Sequence, residues 1–308
     1  MTDGVSILGI FVADLAFRSG RMPAVGETIM GSGFAMGPGG KGSNQAVAAA
    51  RAGAKTRFIS RLGQDSFGDI AMATWAAEGI DAKVVRSPHA PTGAAFIYVN
   101  DVNGENAIIV VPGAAGDISV ADVEAAAETI RSSLVFVTQL EQPAEAALAA
   151  LKIAREAGVT TVFNPAPAAP FDPAIYPLID YITPNESETA AMVGFPVETI
   201  DDAKRAGDVL LKKGVGVALI TLGEKGALFH AKDRSELVPA FHVAAVVETA
   251  GAGDAFNGGF AAALAEGREP LAAARFGCAV AGIAVTRAGT APAMPHRAEV
   301  DALLNRST

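Results

Sequence analysis

The sequence predicts an α/β fold, a mostly parallel sheet with helices on both faces that carries a small β appendage. Three observations lead there. Past residue 112, extended and helical patterns alternate, which gives parallel strands joined by crossover helices. Residues 14–36 depart from that pattern, with Gly20, Pro23, Gly26, Gly31 and Gly33 set among short extended pieces and no helical periodicity. Residues 93–100 and 106–111 are two extended runs around a turn ending in Asn103-Gly104, which reads as a hairpin. That hairpin would pair with the 14–36 stretch in one small sheet.

In chain order, 5–10 reads as a buried first strand. Ser43 is expected to cap a helix over 44–51 that ends at Gly53. A strand over 56–61 and a helix over 67–78 capped by Ser66 follow. Then come helix 120–130, strand 134–138, helix 144–157, strand 160–163, strand 181–183, helix 186–193, helix 200–213 and strand 217–221. A β-branched run, 243–247, reads as a strand leading into a glycine turn and a helix over 255–265. Helices over 271–285 and 296–303 close the chain.

At 308 residues, half of them apolar, the chain is long enough for one large domain over 1–308. A formal charge of −9 and the lack of a basic run argue against a nucleic-acid partner. Cys278 is the sole cysteine, which excludes a disulfide framework and suits a reducing cytoplasm. The first residues lack the pattern of a cleavable leader, and no apolar run would span a bilayer.

Three polar motifs carry the chemistry. In Glu248-Thr249-Ala250-Gly251-Ala252-Gly253-Asp254, the glycines allow a tight turn into a helix. Helix-start N–H groups lack helical partners and sit at the positive end of the macrodipole, a place for a phosphate or a phosphoryl group in flight. Asp254 stands where a carboxylate would take a proton from an attacking hydroxyl; the other reading is a helix cap. The run Gly37-Pro38-Gly39-Gly40-Lys41-Gly42 matches a bare G-x-G-x-x-G, yet no acid follows from Ser43 to Gln64, and Gly42 follows Lys41 where a P-loop needs Ser or Thr. It is neither a dinucleotide fingerprint nor a P-loop of the usual kind. Thr183-Pro184-Asn185-Glu186-Ser187-Glu188 places an amide and carboxylates at a helix start, suited either to hydrated magnesium or to the helix dipole alone.

Together and in this order, these motifs closely resemble the ribokinase family of sugar kinases, of the phosphofructokinase-B type, over essentially the whole chain. Gly26-Glu27-Thr28, Asn164-Pro165-Ala166-Pro167, Ile220-Thr221-Leu222-Gly223 and Ile283-Ala284-Val285-Thr286-Arg287 also look like it. The resemblance implies a ribokinase-like three-layer sandwich with a small β-sheet lid from insertions near 12–36 and 93–111. It implies transfer of the γ-phosphoryl of ATP to a sugar's primary hydroxyl, with Asp254 as base and the N–H groups of Gly251, Ala252 and Gly253 as anion hole. By the same resemblance Asp14, Gly40, Lys41, Asn44 and Glu141 hold the sugar. Asn185, Thr221, Gly223, Gly226 and Gly253 line the nucleotide site, with Cys278 near the adenine. Glu188 acts through the water shell of Mg2+, and a homodimer forms through the lids.

Two departures from the family pattern stand out. Val12 replaces the Asn that precedes the sugar-binding Asp by two residues, which puts the acceptor sugar in question. Glu248 and Ala293 replace an Asp and a Ser at a potassium site, where carbonyls of Ala250, Ala284, Arg287 and Gly289 remain to ligate K+. The leading expectation is a pentose kinase acting on D-ribose. The alternatives are a kinase for 2-deoxyribose, another sugar or a nucleoside, and a sugar sensor without catalysis.

Overall fold

The structure, a computed structural model, describes residues 2–306. They run β1 (Val5–Leu8), β2 (Val12–Ser19), β3 (Gly33–Gly39), α1 (Lys41–Arg51), β4 (Thr56–Gly63), α2 (Ser66–Ala77), β5 (Asp81–Ser87), β6 (Thr92–Asn100) and β7 (Asn106–Gly113). Then follow α3 (Val120–Ala125), α4 (Ala127–Arg131), β8 (Val135–Thr138), α5 (Ala144–Glu156), β9 (Thr160–Phe163), β10 (Tyr181–Ile182), α6 (Glu186–Val193) and α7 (Ile200–Lys212). The chain ends with β11 (Val217–Thr221), β12 (Ala227–His230), β13 (Ser235–Val238), α8 (Ala252–Ala265), α9 (Pro270–Ala284) and α10 (Arg297–Arg306).

Nine strands form the large sheet in the order β13-β12-β11-β10-β9-β8-β1-β4-β5. It is parallel from β11 to β5, and only the β11–β12 and β12–β13 pairs are antiparallel. Its strand residues alternate between two cores, as a period of two demands. Ile7, Phe58, Val137, Val162 and Leu219 face a core shared with α1, α2, α8 and α9. Leu8, Ile59, Phe136, Phe163 and Ile220 face one shared with α3, α4, α5 and α7. A sheet covered on both faces favours apolar residues at most positions, so its strands read as near-continuous apolar runs.

Strands β3-β2-β6-β7 form a separate four-stranded sheet, with β2 parallel to β6 and the other pairs antiparallel. The 93–100 and 106–111 hairpin therefore pairs with the 14–36 stretch, through β2. No helix among the described residues is long and apolar enough to cross a membrane.

Several local expectations are corrected. Residues 243–247 form no strand; Val243, Val246 and Val247 are exposed, and no neighbouring strand offers them a ladder. The N–H groups of Val247 and Glu248 both reach the Val285 carbonyl at the end of α9 instead. β-branched content favours a strand only where a pleated surface receives it. The helix after the glycine turn begins at Ala252, not 255. Ser43 does not cap α1: Gly40 does, at φ 89°, and the buried Ser43 hydroxyl accepts a hydrogen bond from Trp75 Nε1 (2.9 Å). Ser66 lies inside α2, whose N-cap is Asp65, accepting from the Gly68 N–H (2.9 Å). The expected helix 120–130 is broken at Ala126, and nothing in the local sequence explains the break. Strands β5, β12 and β13 were not foreseen: β5 is a half-exposed edge strand, and β12 and β13 are short.

Candidate active site

Parallel strands end on one side of the sheet, and ligands of such folds bind there. Thr138-Gln139, Asn164, Thr183 and Thr221 stand at the ends of β8, β9, β10 and β11. Facing them is the N-terminus of α8. Gly251 occupies the left-handed region at φ 77° and caps the helix without a side-chain hydrogen bond. A Cβ at Gly251 would approach Thr290 to 3.3 Å, while one at Gly253 would meet nothing within 4 Å. Of the turn's amides, Ala252 N–H already donates to the Thr249 carbonyl (3.2 Å). Among the described residues, the Gly251 and Gly253 N–H groups donate to no backbone carbonyl and remain available to an anion.

Asp254 is held from α1. Asn44 Nδ2 donates to its Oδ2 (3.0 Å) and Gln45 Nε2 to its Oδ1 (3.1 Å). That reach requires close helix packing. A Cβ at Gly258 would lie 2.5 Å from the Ala48 Cβ, and one at Gly259 2.6 Å from Val280 Cγ2. These two glycines let α8 settle between α1 and α9. Burial pushes the Asp254 carboxyl up; Lys41 and the two amide donors oppose it. A cap would turn its carboxylate to its own helix, whereas Asp254 turns outward to another, which favours the base reading.

A cavity of about 190 Å³ opens in front of Asp254, with Lys41, Asn185, Glu188, Thr221 and Gly253 in its wall. Asn185 and Glu188 cap α6 reciprocally: Glu188 N–H donates to Asn185 Oδ1 (2.8 Å) and Asn185 N–H to Glu188 Oε2 (2.9 Å). So the dipole-cap reading of this motif holds in the structure, and Glu188 still faces the cavity with its pKa raised by burial. Gly223 (φ 53°) and Gly226 (φ 106°) bound the short turn after β11.

At the first residue of α1, Lys41 N–H donates to Glu141 Oε2 (2.7 Å). Burial pushes Glu141 up to about 7, against the pull of Lys41. Asp14 is pushed up to about 6 by burial, with Asp254 and Glu248 adding to it. The Asp14 carboxylate lies over Gly39, in the space a Cβ there would occupy. Gly40 turns the chain where a side chain would strike the Ile10 carbonyl at 2.5 Å. Val12, 3% exposed, sits in an apolar cluster with Ile10, Ile59 and Ala95, two residues from Asp14 on the same strand face.

The remaining expected residues lie apart from that cavity. Cys278 is buried on α9, its thiol pushed up to about 12 by burial. Glu248 Oε2 accepts from the Gly289 N–H (2.8 Å), the Ala284 carbonyl accepts from the Arg287 N–H (3.1 Å), and Ala293 is buried in a 3-10 turn close by in sequence. Among the described residues, the Ala250 carbonyl accepts no backbone hydrogen bond. Sequence reasoning missed Gln45, Gln139 and Asn257. Asn257 had a signal, three residues after Asp254 on one helix face; its Nδ2 donates to the Gly253 carbonyl (2.8 Å). The two glutamines carried none.

What this arrangement offers is a carboxylate base, a fixed cation and open helix amides around one small space, and phosphoryl transfer to an alcohol asks for those three. The protein is a phosphotransferase with an alcohol acceptor. It belongs to the pfkB family of carbohydrate kinases, whose model matches residues 2–297. The chain is 39% identical over 300 residues to the ribokinase of Haemophilus influenzae, covering 97% of each chain. It is 36% identical to the deoxyribokinase of Salmonella typhi, covering 94% of this chain and 95% of that one. The structure superposes on that of Arabidopsis thaliana ribokinase complexed with ribose and ATP with a TM-score of 0.92, at 30% identity and 99% coverage of both chains.

Proposed function

We propose that this carbohydrate kinase is an ATP-dependent pentose kinase that converts D-ribose to D-ribose 5-phosphate. One observation carries the mechanism: a buried carboxylate, Asp254, held by two amide donors at the open N-terminus of α8. The primary hydroxyl of the sugar gives its proton to Asp254 while its oxygen attacks the γ-phosphorus, and ADP leaves. The Gly251 and Gly253 N–H groups meet the charge that grows on the transferred oxygens, with Lys41 beside them. Asp14, Gly40, Lys41, Asn44 and Glu141 hold the sugar hydroxyls. Asn185, Thr221, Gly223, Gly226 and Gly253 line the nucleotide channel, the base reaching toward Cys278.

The donor set suits a hydrated magnesium ion. No group of three or more His, Cys, Asp or Glu among the described residues would cage a metal, and Glu188 presents a lone carboxylate to the cavity. Mg2+ bound in that way keeps its waters and the nucleotide phosphates, where it would supply charge neutralisation. Potassium would be held by Glu248 with the carbonyls of Ala250, Ala284, Arg287 and Gly289, beside Ala293, and would stiffen the turn before Asp254. Turnover in potassium that exceeds turnover in sodium supports that site; equal rates in both and in a bulky organic cation count against it. The exposed lid face also points to a homodimer, read by light scattering with sugar present.

The decisive experiment is Asp254→Asn, assayed for ADP release across a panel of sugars and nucleosides. Loss of the base lowers turnover by about two to four orders of magnitude while nucleotide still binds. Near wild-type turnover would overturn the assignment. Val12 supports a second reading, 2-deoxyribose as acceptor. An apolar side chain strands no polar group when a hydroxyl is missing, so discrimination falls to about 1–3 kcal/mol. Under this reading Val12→Asn raises the ribose to 2-deoxyribose ratio of kcat/KM; an unchanged ratio removes Val12 from specificity.

A further inference from the structure

Beside Asp254 lies a chain of buried amides that the reaction as described does not use, running from Asn164 in the cavity wall to Gln45 and Gln139 outside it. Gln45 and Gln139 are both fully buried. Burying an amide costs free energy that an apolar side chain of the same size would not. We propose that Gln139, acting through Gln45, is a positioning residue for the Asp254 carboxylate: the two amides form a directed chain that presents a hydrogen-bond donor to Asp254 Oδ1. The proposal rests on Asp254 as the base.

The direction of the chain is dictated at one end by backbone. Asn164 Nδ2 donates to the Thr183 carbonyl (2.8 Å), a group that only accepts. Asn164 therefore turns its Oδ1 to Gln45, which answers with Nε2 (3.2 Å). The same Nε2 donates to Asp254 Oδ1 (3.1 Å). Gln45 Oε1 is left facing Gln139, whose Nε2 donates to it at 2.6 Å. Gln139 is itself seated in a slot made by glycines. A Cβ at Gly9 would lie 2.6 Å from Gln139 Oε1, and one at Gly42 3.0 Å from it. The close approach of β1 and α1 at these two glycines is the room the amide occupies.

The chemistry needs this direction. A donor to the carboxylate favours the ionised base, whereas an acceptor turned to the same oxygen favours the protonated, inactive form. Burial pushes Asp254 toward protonation, and Asp14, Glu141 and Glu188 face it as further carboxylates, with Lys41 the facing cation. Gln45 opposes that push on Oδ1 as Asn44 does on Oδ2. Gln139 keeps Gln45 from turning, because a turned Gln45 would set Oε1 against Asn164 Oδ1 and Asp254 Oδ1, and Nε2 against the Gln139 donor.

The test is the pH profile of kcat with saturating sugar and Mg-ATP, for wild type, Gln45→Met, Gln139→Met and Gln139→Glu. The acid limb of Gln45→Met moves to higher pH by about one unit, so turnover on that limb falls about tenfold. Gln139→Met moves it in the same direction by less, and sugar KM stays within about threefold, since neither side chain faces the sugar. Gln139→Glu is nearly isosteric and discriminates further. While protonated, its introduced carboxyl donates to Gln45 Oε1 and supports activity. Once ionised it repels that oxygen, so turnover in this variant falls as pH rises. Should Gln139→Met not fold, this profile decides. Loss of turnover with an unmoved acid limb, a Gln139→Glu profile that follows wild type, or a rise in sugar KM at constant kcat, which would mean action through neighbouring Glu141, each overturns the proposal. Retained turnover in Asp254→Asn instead overturns the base assignment on which this reading of the acid limb rests, whereas lost turnover there with unmoved limbs in the glutamine variants overturns the positioning role alone.

Discussion

The two sheets of this protein solve the same problem in opposite ways. In the large sheet β1 and β8 are buried along their whole length, and successive residues enter opposite cores. In the small sheet β7 is exposed from Asn106 to Val111, and β3 is exposed at Gly33 to Met36. Inward-facing Ala95 of β6 is buried, while Phe17, Phe34, Ile109 and Val111, on the opposite face, keep much of their surface in solvent. The Phe17 ring meets those of Phe34 and Phe96, centroids 5.0 and 5.7 Å away. The large sheet completes its own core, and α8, packed on one of its faces, carries Asp254. The small one contributes Asp14 over Gly39 and leaves an apolar face that its own chain does not cover, the mark of a surface that meets something else.

Substitutions that act through burial sharpen this contrast. Phe58→Ala in β4 removes a fully buried ring that packs edge-on against Trp75 at 4.9 Å. It is expected to cost about 3–5 kcal/mol in denaturant unfolding. A loss under 1 kcal/mol would show that the large sheet is not the stabilising unit.

The next effect comes from the seam between body and lid. Glu141 has a folded-state pKa of about 7 against a usual 4.5. A carboxyl with a raised folded pKa favours folding below its unfolded value, and that contribution is lost as pH rises through the folded one. Glu141→Gln copies the neutral form and can still accept from the Lys41 N–H. It should therefore melt several degrees above wild type near pH 8, with the gap closing as pH falls through about 7 and gone below 4.5, while sugar affinity falls. A gap independent of pH would remove Glu141 as its source.

The smallest effect on folding belongs to the lid. Ile109→Ser, on the exposed face, should change monomer stability by no more than about 0.5 kcal/mol. The same change should weaken self-association in sedimentation equilibrium. Unchanged association places the dimer contact elsewhere or nowhere, and a large loss of stability would show that the lid face is covered within one chain.

The amino-acid sequence by itself determined the parallel body, the two lid segments and the three polar motifs, because each is written locally. Apolar runs, helix periodicity and glycine turns need no distant partner to be read. The same local logic failed at 243–247, where β-branched residues found no neighbouring strand, and at Ser43, whose hydroxyl went to Trp75 rather than to its own helix. Only the tertiary structure decided which atoms surround Asp254. Asn44 and Gln45 are about two hundred residues away in sequence, 210 and 209 positions by their hydrogen bonds, and Gln139 reaches Gln45 across 94. A glutamine's donor and acceptor ends are chemically alike in sequence, and their direction is settled only by the backbone carbonyl of Thr183 at the far end of the chain of amides. The glycines behind this arrangement, Gly9, Gly42, Gly258 and Gly259, let packed elements approach until those amides can touch.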